Sequence, residues 1–249
     1  MATTRRADMF TADGEPSDDD PRENGPRLGD ERVTLAEALR CQRLTLEMKC
    51  AGLDAEALAR RSVEPSTMSL LGLVRHLAEM ERATFRVMMA GQDAPRLFCS
   101  DTDRDGDFNG AVPDPRVVAE AWDAWRAEVD FATRFVAGAP SLDITADDPD
   151  NQHGGGGGPM SLREVLVGMI EEYARHMGHA DLLRERIDGR IGQLGICQPR
   201  QQAAPRPAAA NGLGAQGRLV EHRQADDAVA GGAAIAERRD RRGDSDPLR

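Results

Sequence analysis

The chain has 249 residues, of which 40% are hydrophobic and only 4% aromatic, so a core must be built mainly from Leu, Val, Ala and Met. A net charge of −11 disfavours nucleic acid and anionic membranes as partners, because both repel an acidic protein. No apolar run approaches the ~20 residues that span a bilayer, and the N-terminus lacks a hydrophobic signal core. We therefore predict a cytoplasmic protein with no nucleic-acid partner and no membrane partner.

The two ends of the chain differ in composition from its middle. Residues 1–30 are polar, acidic and rich in Asp, Gly and Pro, so they cannot bury enough apolar surface to offset ordering entropy. Residues 194–249 show no sustained hydrophobic period. Both segments are predicted to be disordered tails around a folded domain of residues 31–193. A further hypothesis is that the low-complexity C-terminal tail is an out-of-frame product of a GC-rich gene.

The first half of the predicted domain contains two long helices. The first helix is predicted to begin near Thr34, where the stretch TLAE has the spacing of a capping box, and to stop at Gly52. A short helix over residues 54–60 follows. The second long helix is predicted to start at residues 66–69 and to end at Gly91, a typical C-terminal glycine.

The next segment is predicted to be a long loop followed by the third helix. Residues 92–113 include the acidic run DTDRDGD, which suggests a calcium-binding EF-hand loop. We reject that interpretation, because position 12 of the loop is Val112 and not the bidentate glutamate that calcium requires. Asp114 followed by Pro115 is a typical helix start, with an N-cap and a proline in the first turn.

A second linker leads into the fourth helix. Residues 138–160 contain five consecutive glycines and are predicted to be a flexible loop. Ser161 and Glu164 form a second capping box, and Gly189 marks the end of this helix. No convincing strand pattern is present. Four amphipathic helices predict an all-α protein, specifically a four-helix bundle.

The fourth helix has polar residues on the face that should point inward. The steps between them are three or four residues, so their side chains share one face. Burying a carboxylate and imidazoles there costs several kcal/mol unless each has a partner. The inward face consists of Val165, Met169, Glu172, His176, His179, Leu183 and Ile187.

A single metal ion could be the partner of all these groups at once. Glu172 and His176 lie four residues apart and can reach one ion, and His76 of the second helix points toward the same interior. Two other interpretations stay open at this point. His76 can be an ordinary core histidine, and Glu172 can form a salt bridge with Arg175.

Two segments carry a resemblance to a known family. The stretches LVRHLAEMER and IEEYARHMGHADLLRERIDG resemble the DinB-like superfamily of metal-binding four-helix bundles, and within it the actinobacterial mycothiol S-transferases. The resemblance implies that His76, Glu172 and His176 are metal ligands. It also implies mycothiol as co-substrate. A site of histidine and glutamate ligands accepts zinc, which we favour, and also nickel, manganese or iron. His179 would then face the substrate or compete as a ligand.

The resemblance also implies a reaction between a small-molecule thiol and an electrophile, in detoxification or a stress response. We predict catalytic roles for His179 and Arg175, and thiol-binding roles for Arg75 and Arg175, because guanidinium groups suit anionic groups. For each arginine, a surface salt bridge is the simpler alternative. Two other functions stay open: a mycothiol-dependent isomerase of the maleylpyruvate type, and a non-catalytic metal-binding bundle. A homodimer is compatible with such a bundle but has no sequence signature.

Gly168 departs from the pattern of the family. Members of the branch usually carry histidine at this position, one turn before Glu172. Glycine inside a helix costs ~1 kcal/mol relative to alanine and supplies no side chain. We therefore expect the wall of the substrate site to be altered at Gly168.

Overall fold

The computed structural model of the chain describes residues 20–26, 28–147 and 158–191. The predicted C-terminal tail, with its reading-frame hypothesis, lies outside these residues and stays a prediction. Most of the predicted N-terminal tail also lies outside them. Within its described part, Pro21–Asn24 forms one turn of 3-10 helix. Arg40 donates hydrogen bonds to two carbonyls of this turn, so the turn lies against the first long helix.

The described residues are mostly helical, which confirms the predicted all-α class. The helices are α1 (Glu31–Cys50), α2 (Ala55–Ala59), α3 (Leu70–Glu81), α4 (Gly106–Asn109), α5 (Pro115–Gly138) and α6 (Leu162–Asp188). α3 continues directly into a π-helical segment, Arg82–Met89. In the part of the chain that the structure describes, no helix combines the length and apolar character needed to cross a membrane.

Two short strands were not expected from the sequence. β1 (Thr145–Asp147) and β2 (Pro159–Ser161) pair antiparallel, with Ala146 opposite Met160. Three residues are too few to show the alternation of polar and apolar residues by which a strand is recognised. The pairing brings the chain back to the start of α6.

The four long helices form a bundle. α1 packs mainly against α6, and α3 mainly against α5, while contacts between α3 and α6 join the two pairs. The residues between them are largely aliphatic, as the composition predicts. Fully buried core side chains include Leu39, Leu46, Leu73, Leu77, Phe85, Leu166, Met169 and Leu183.

The helix that carries two predicted ligands is capped as predicted. The Ser161 hydroxyl accepts a hydrogen bond from the backbone amide of Glu164, and the Glu164 carboxylate accepts one from the amide of Ser161. At the other end, Gly189 has a left-handed backbone with φ of 77°. These two ends determine the register of α6, and with it the face on which Glu172 and His176 lie.

Two local predictions are wrong. α1 begins at Glu31 and not near Thr34, because the Asp30 carboxylate caps the helix by accepting a hydrogen bond from the amide of Val33. The Thr34 hydroxyl instead donates to the carbonyl of Asp30. The predicted loop of residues 92–113 contains α4, and this short helix is part of the candidate site.

A cavity of about 580 Å³ opens between α1 and α5. Its walls include Ala36, Leu44, Val129 and Val136. None of the predicted catalytic, thiol-binding or metal-binding residues lines it. The cavity is therefore separate from the candidate site.

Candidate metal centre

The three predicted ligands lie together where α3 faces α6. Nε2 of His76 lies 3.1 Å from Oε1 of Glu172, and Nε2 of His176 lies 2.9 Å from the same oxygen. One ligand atom from each residue lies within 4.8 Å of the other two. Two imidazole nitrogens and a carboxylate oxygen thus converge on one point, and such a set could hold a metal ion.

The cluster is accessible from solvent. The exposed fractions of the side chains are 20% for His76, 19% for Glu172 and 11% for His176. A fully enclosed cluster would fit a structural ion with four protein ligands, whereas a catalytic ion keeps one position open. The partial exposure of all three side chains is compatible with an open position.

Asp107 holds His76 from the side opposite Glu172. Its Oδ2 lies 2.8 Å from Nδ1 of His76, and its own side chain is buried. The Phe108 ring stacks on the imidazole of His76, with 5.3 Å between ring centroids. Sequence reasoning missed Asp107, because we interpreted its acidic run as a solvated loop. The available signal was Phe108, an aromatic residue directly after that acidic run.

His179 lies beside His176 and outside the three-residue cluster. Their Nδ1 atoms are 3.3 Å apart, and the rings meet edge to face. Burial, together with His176 and Arg175, lowers the pKa of His179. His179 is therefore a neighbour of one ligand, and the structure does not bring it to Glu172 or His76.

The charges of the cluster favour a bound cation. Burial opposes protonation of His76, but its hydrogen bonds to Asp107 and Glu172 outweigh burial and raise its pKa to about 9. Hydrogen bonds from His176 and His76 hold the pKa of Glu172 well below its usual range. The carboxylate stays charged and stabilises a positive charge beside it. Protons or a divalent metal ion can supply that charge, so the donor set fits a metal.

The two predicted arginines have different surroundings. Arg175 is 65% exposed and donates a hydrogen bond to Oε2 of Glu172, 3.1 Å away. Arg75 is buried and donates to the carbonyls of Gly106 and Asp107. Arg175 is thus exposed enough to turn toward a ligand, whereas Nε and Nη2 of Arg75 are bonded to the loop around α4. The thiol-binding roles of both residues stay predictions.

Gly168 has open space around it, and this allows a direct test. Replacing Gly168 with alanine should raise the free energy of unfolding by about 1 kcal/mol, the usual gain inside a helix. A Cβ atom at Gly168 would meet nothing within 4 Å. Gly178 of the same helix has equally open surroundings and should gain as much when it is replaced. Urea unfolding of the three proteins measures the effect, and a loss of stability in Gly168→Ala alone would contradict it.

A comparison with protein families finds a match over most of the described chain. The family described as Mycothiol-S-transferase matches residues 34–189. The match covers most of α1 and the whole of the segment from α2 to α6, including both helices that carry the cluster. None of the curated proteins matches the chain.

Proposed function

Since the chain belongs to the mycothiol-S-transferase family, we propose that it is a metal-dependent S-transferase. It joins mycothiol, or a similar low-molecular-weight thiol, to electrophiles and so removes reactive compounds. The observation that carries this proposal is the convergence of His76 and His176 on one carboxylate oxygen of Glu172. Thiol transfer needs a group that makes sulfur nucleophilic near neutral pH, and a metal bound at this cluster would be such a group.

We assign the metal to Nε2 of His76, a carboxylate oxygen of Glu172 and Nε2 of His176. Two imidazoles and one carboxylate are a ligand set that catalytic zinc uses, and nickel, manganese and iron accept the same set. A divalent metal held there would lower the pKa of a coordinating thiol, so that the thiol would react as thiolate.

The residues around the ligands have separate roles in the proposed reaction. Arg175, exposed at the edge of the cluster, binds an anionic group of the thiol through its planar fork of donors. His179 is partly exposed, and among the described residues only its Nδ1 is hydrogen-bonded. With a metal on Nε2 of His176, Nδ1 of His176 keeps its proton and donates a hydrogen bond to Nδ1 of His179, so Nε2 of His179 carries a proton and can donate a hydrogen bond to the leaving group. Solvent takes the thiol proton. The sulfur then forms a bond to the electrophilic carbon, and the leaving group departs with its electron pair.

A conjugation assay tests the proposal. Zinc-loaded protein is incubated with mycothiol and 1-chloro-2,4-dinitrobenzene, and the S-conjugate is measured by mass spectrometry together with released chloride. We expect product from the wild-type protein and only background product from His176→Ala, which lacks one imidazole. A Glu171→Gln variant, changed at an exposed residue next to Glu172, should behave like the wild type.

The possible outcomes separate the three candidate functions. No thiol consumption above background by metal-loaded protein would contradict the transferase. Isomerisation of maleylpyruvate without net thiol consumption would favour the isomerase. Equal, substoichiometric zinc in the wild type and His176→Ala would show that the metal site itself is wrong.

A further inference from the structure

We propose that Asp107 is a positioning residue of this site, and that Arg75 and Glu79 form a clamp that holds it against His76. The inference rests on the proposed metal site, but it concerns residues outside the ligand set. We use "clamped loop" for residues 98–110, which include α4.

Asp107 determines which nitrogen of His76 carries the proton. A carboxylate can only accept a hydrogen bond, so the 2.8 Å contact with Asp107 requires a proton on Nδ1 of His76. Nε2 faces Glu172, and a metal that displaced the proton from this second hydrogen bond would take the lone pair of Nε2 while Nδ1 kept its proton. The second oxygen of Asp107 accepts a hydrogen bond of 2.9 Å from the amide of Phe108, which orients the carboxylate.

Arg75 anchors the end of the clamped loop that carries Asp107. Its Nε donates to the carbonyl of Asp107 over 2.8 Å, and its Nη2 donates to the carbonyl of Gly106 over 3.0 Å. The guanidinium also lies 3.9 Å from the centre of the Phe98 ring. Arg75 directly precedes His76 in α3. The same helix turn therefore supplies both the ligand and the anchor of the group that orients it.

Glu79 anchors the other end of the clamped loop. Its Oε1 accepts hydrogen bonds from the backbone amides of Phe98 and Cys99. Glu79 lies one turn after Arg75 on α3, and both side chains are buried. The Arg75 guanidinium thus binds two carbonyls of the loop, and the Glu79 carboxylate binds two of its amides. Hydrogen bonds to charged groups are stronger than those between neutral groups.

Glycines allow the clamped loop to approach this closely. A Cβ atom at Gly106 would lie 2.3 Å from the carbonyl oxygen of Phe98, and one at Gly110 would lie 2.5 Å from Nη2 of Arg75. On the helix side, a Cβ atom at Gly72 would lie 2.7 Å from the ring of Phe108. A larger residue at Gly72 or Gly110 would push the loop away from α3, and one at Gly106 would push apart the two ends of the loop.

The first test replaces Asp107 with asparagine in the full chain and measures zinc affinity by competition with a chelator. The affinity should fall ~10–100-fold, the usual effect of losing a partner of a metal ligand. Asp105→Asn makes the same charge change two residues away at an exposed site and should bind zinc like the wild type. Asp107→Glu keeps the carboxylate and should recover part of the affinity.

A second readout separates positioning from general stability. At a pH above about 9, where the His76 ring of the zinc-free protein is neutral, its ¹⁵N shifts report its tautomer, and Asp107→Asn should increase the form that is protonated on Nε2. Gly110→Ala displaces the clamped loop while keeping the Asp107 carboxylate, and it should also weaken zinc binding. Wild-type zinc affinity in Asp107→Asn, or an unchanged His76 tautomer, would overturn the inference.

The experiment also separates this inference from the proposed function. Wild-type protein that binds zinc but forms no thiol conjugate would contradict the transferase and leave the positioning role intact. Wild-type protein that binds zinc no better than His176→Ala would overturn both.

Discussion

Replacing Glu172 with glutamine should abolish stoichiometric zinc binding and reduce thiol conjugation to background. Oε1 of Glu172 is the atom on which both histidine nitrogens converge, at 3.1 and 2.9 Å. It also brings the only full negative charge of the ligand set, which offsets the charge of a divalent ion. The zinc affinity should therefore fall by more than the ~10–100-fold expected for a partner outside the ligand set. Zinc per chain after dialysis and the chelator-competition affinity measure this loss.

Glu171→Gln is the matched control for this prediction. It removes the same charge from the adjacent residue, which is exposed. Its zinc content and conjugation rate should equal those of the wild type. Zinc retained in Glu172→Gln but lost in His179→Ala would contradict the ligand assignment and make His179 the third ligand instead.

The ligand cluster could be predicted from sequence because its geometry is mostly local. Glu172 and His176 lie four residues apart on one helix, so the helical period alone places them on one face. His76 is on a second helix, but its neighbours Leu73 and Leu77 are strongly apolar, so the burial of that face follows from composition. Two capped helices then suffice to bring the three side chains together.

The helical period alone does not predict whether His179 belongs to the ligand set. His179 shares the inward face with Glu172, yet seven residues separate them, and seven residues span about 10 Å along a helix axis. One ion cannot readily bind both side chains across that distance. The structure accordingly places His179 next to His176, three residues away, and not in the cluster.

The clamped loop could not be predicted, because nothing local determines its conformation. Asp107 lies 31 residues after His76, and the contact depends on side chains of α3 bonding to backbone groups of the loop. Such bonds have no sequence period. The acidic run around Asp107 indicates only a polar segment, so a solvated loop was the natural interpretation.

Non-local contacts also decide which charged side chains lie inside the bundle, and the sequence does not predict them. Charge alone would place Arg43 and Glu81 at the surface, because charged side chains are rarely fully buried, yet both are buried. Their burial is tolerated because the Arg43 guanidinium of α1 and the Glu81 carboxylate of α3 form an ion pair with each other. This pair gives the second large effect that we expect.

Replacing Glu81 with alanine should lower the free energy of unfolding by ~3–5 kcal/mol, because it leaves the Arg43 charge buried without its partner. The Glu81 carboxylate accepts two hydrogen bonds of 2.7 Å from Arg43 and one of 2.8 Å from the Tyr173 hydroxyl. That hydroxyl accepts a further hydrogen bond from Nε1 of Trp125. The network therefore links α1, α3, α5 and α6.

A double-mutant cycle tests this explanation. Glu81→Ala, Arg43→Met and the double variant are unfolded with urea in the presence of a chelator, so that metal binding does not contribute. The double variant should lose less stability than Glu81→Ala alone, because it removes the unpaired charge as well as its partner. Asp130→Ala, which breaks the exposed ion pair with Arg134, should have a far smaller effect. A double variant less stable than Glu81→Ala would show that Arg43 supports the bundle by packing its chain, and not mainly through its charge.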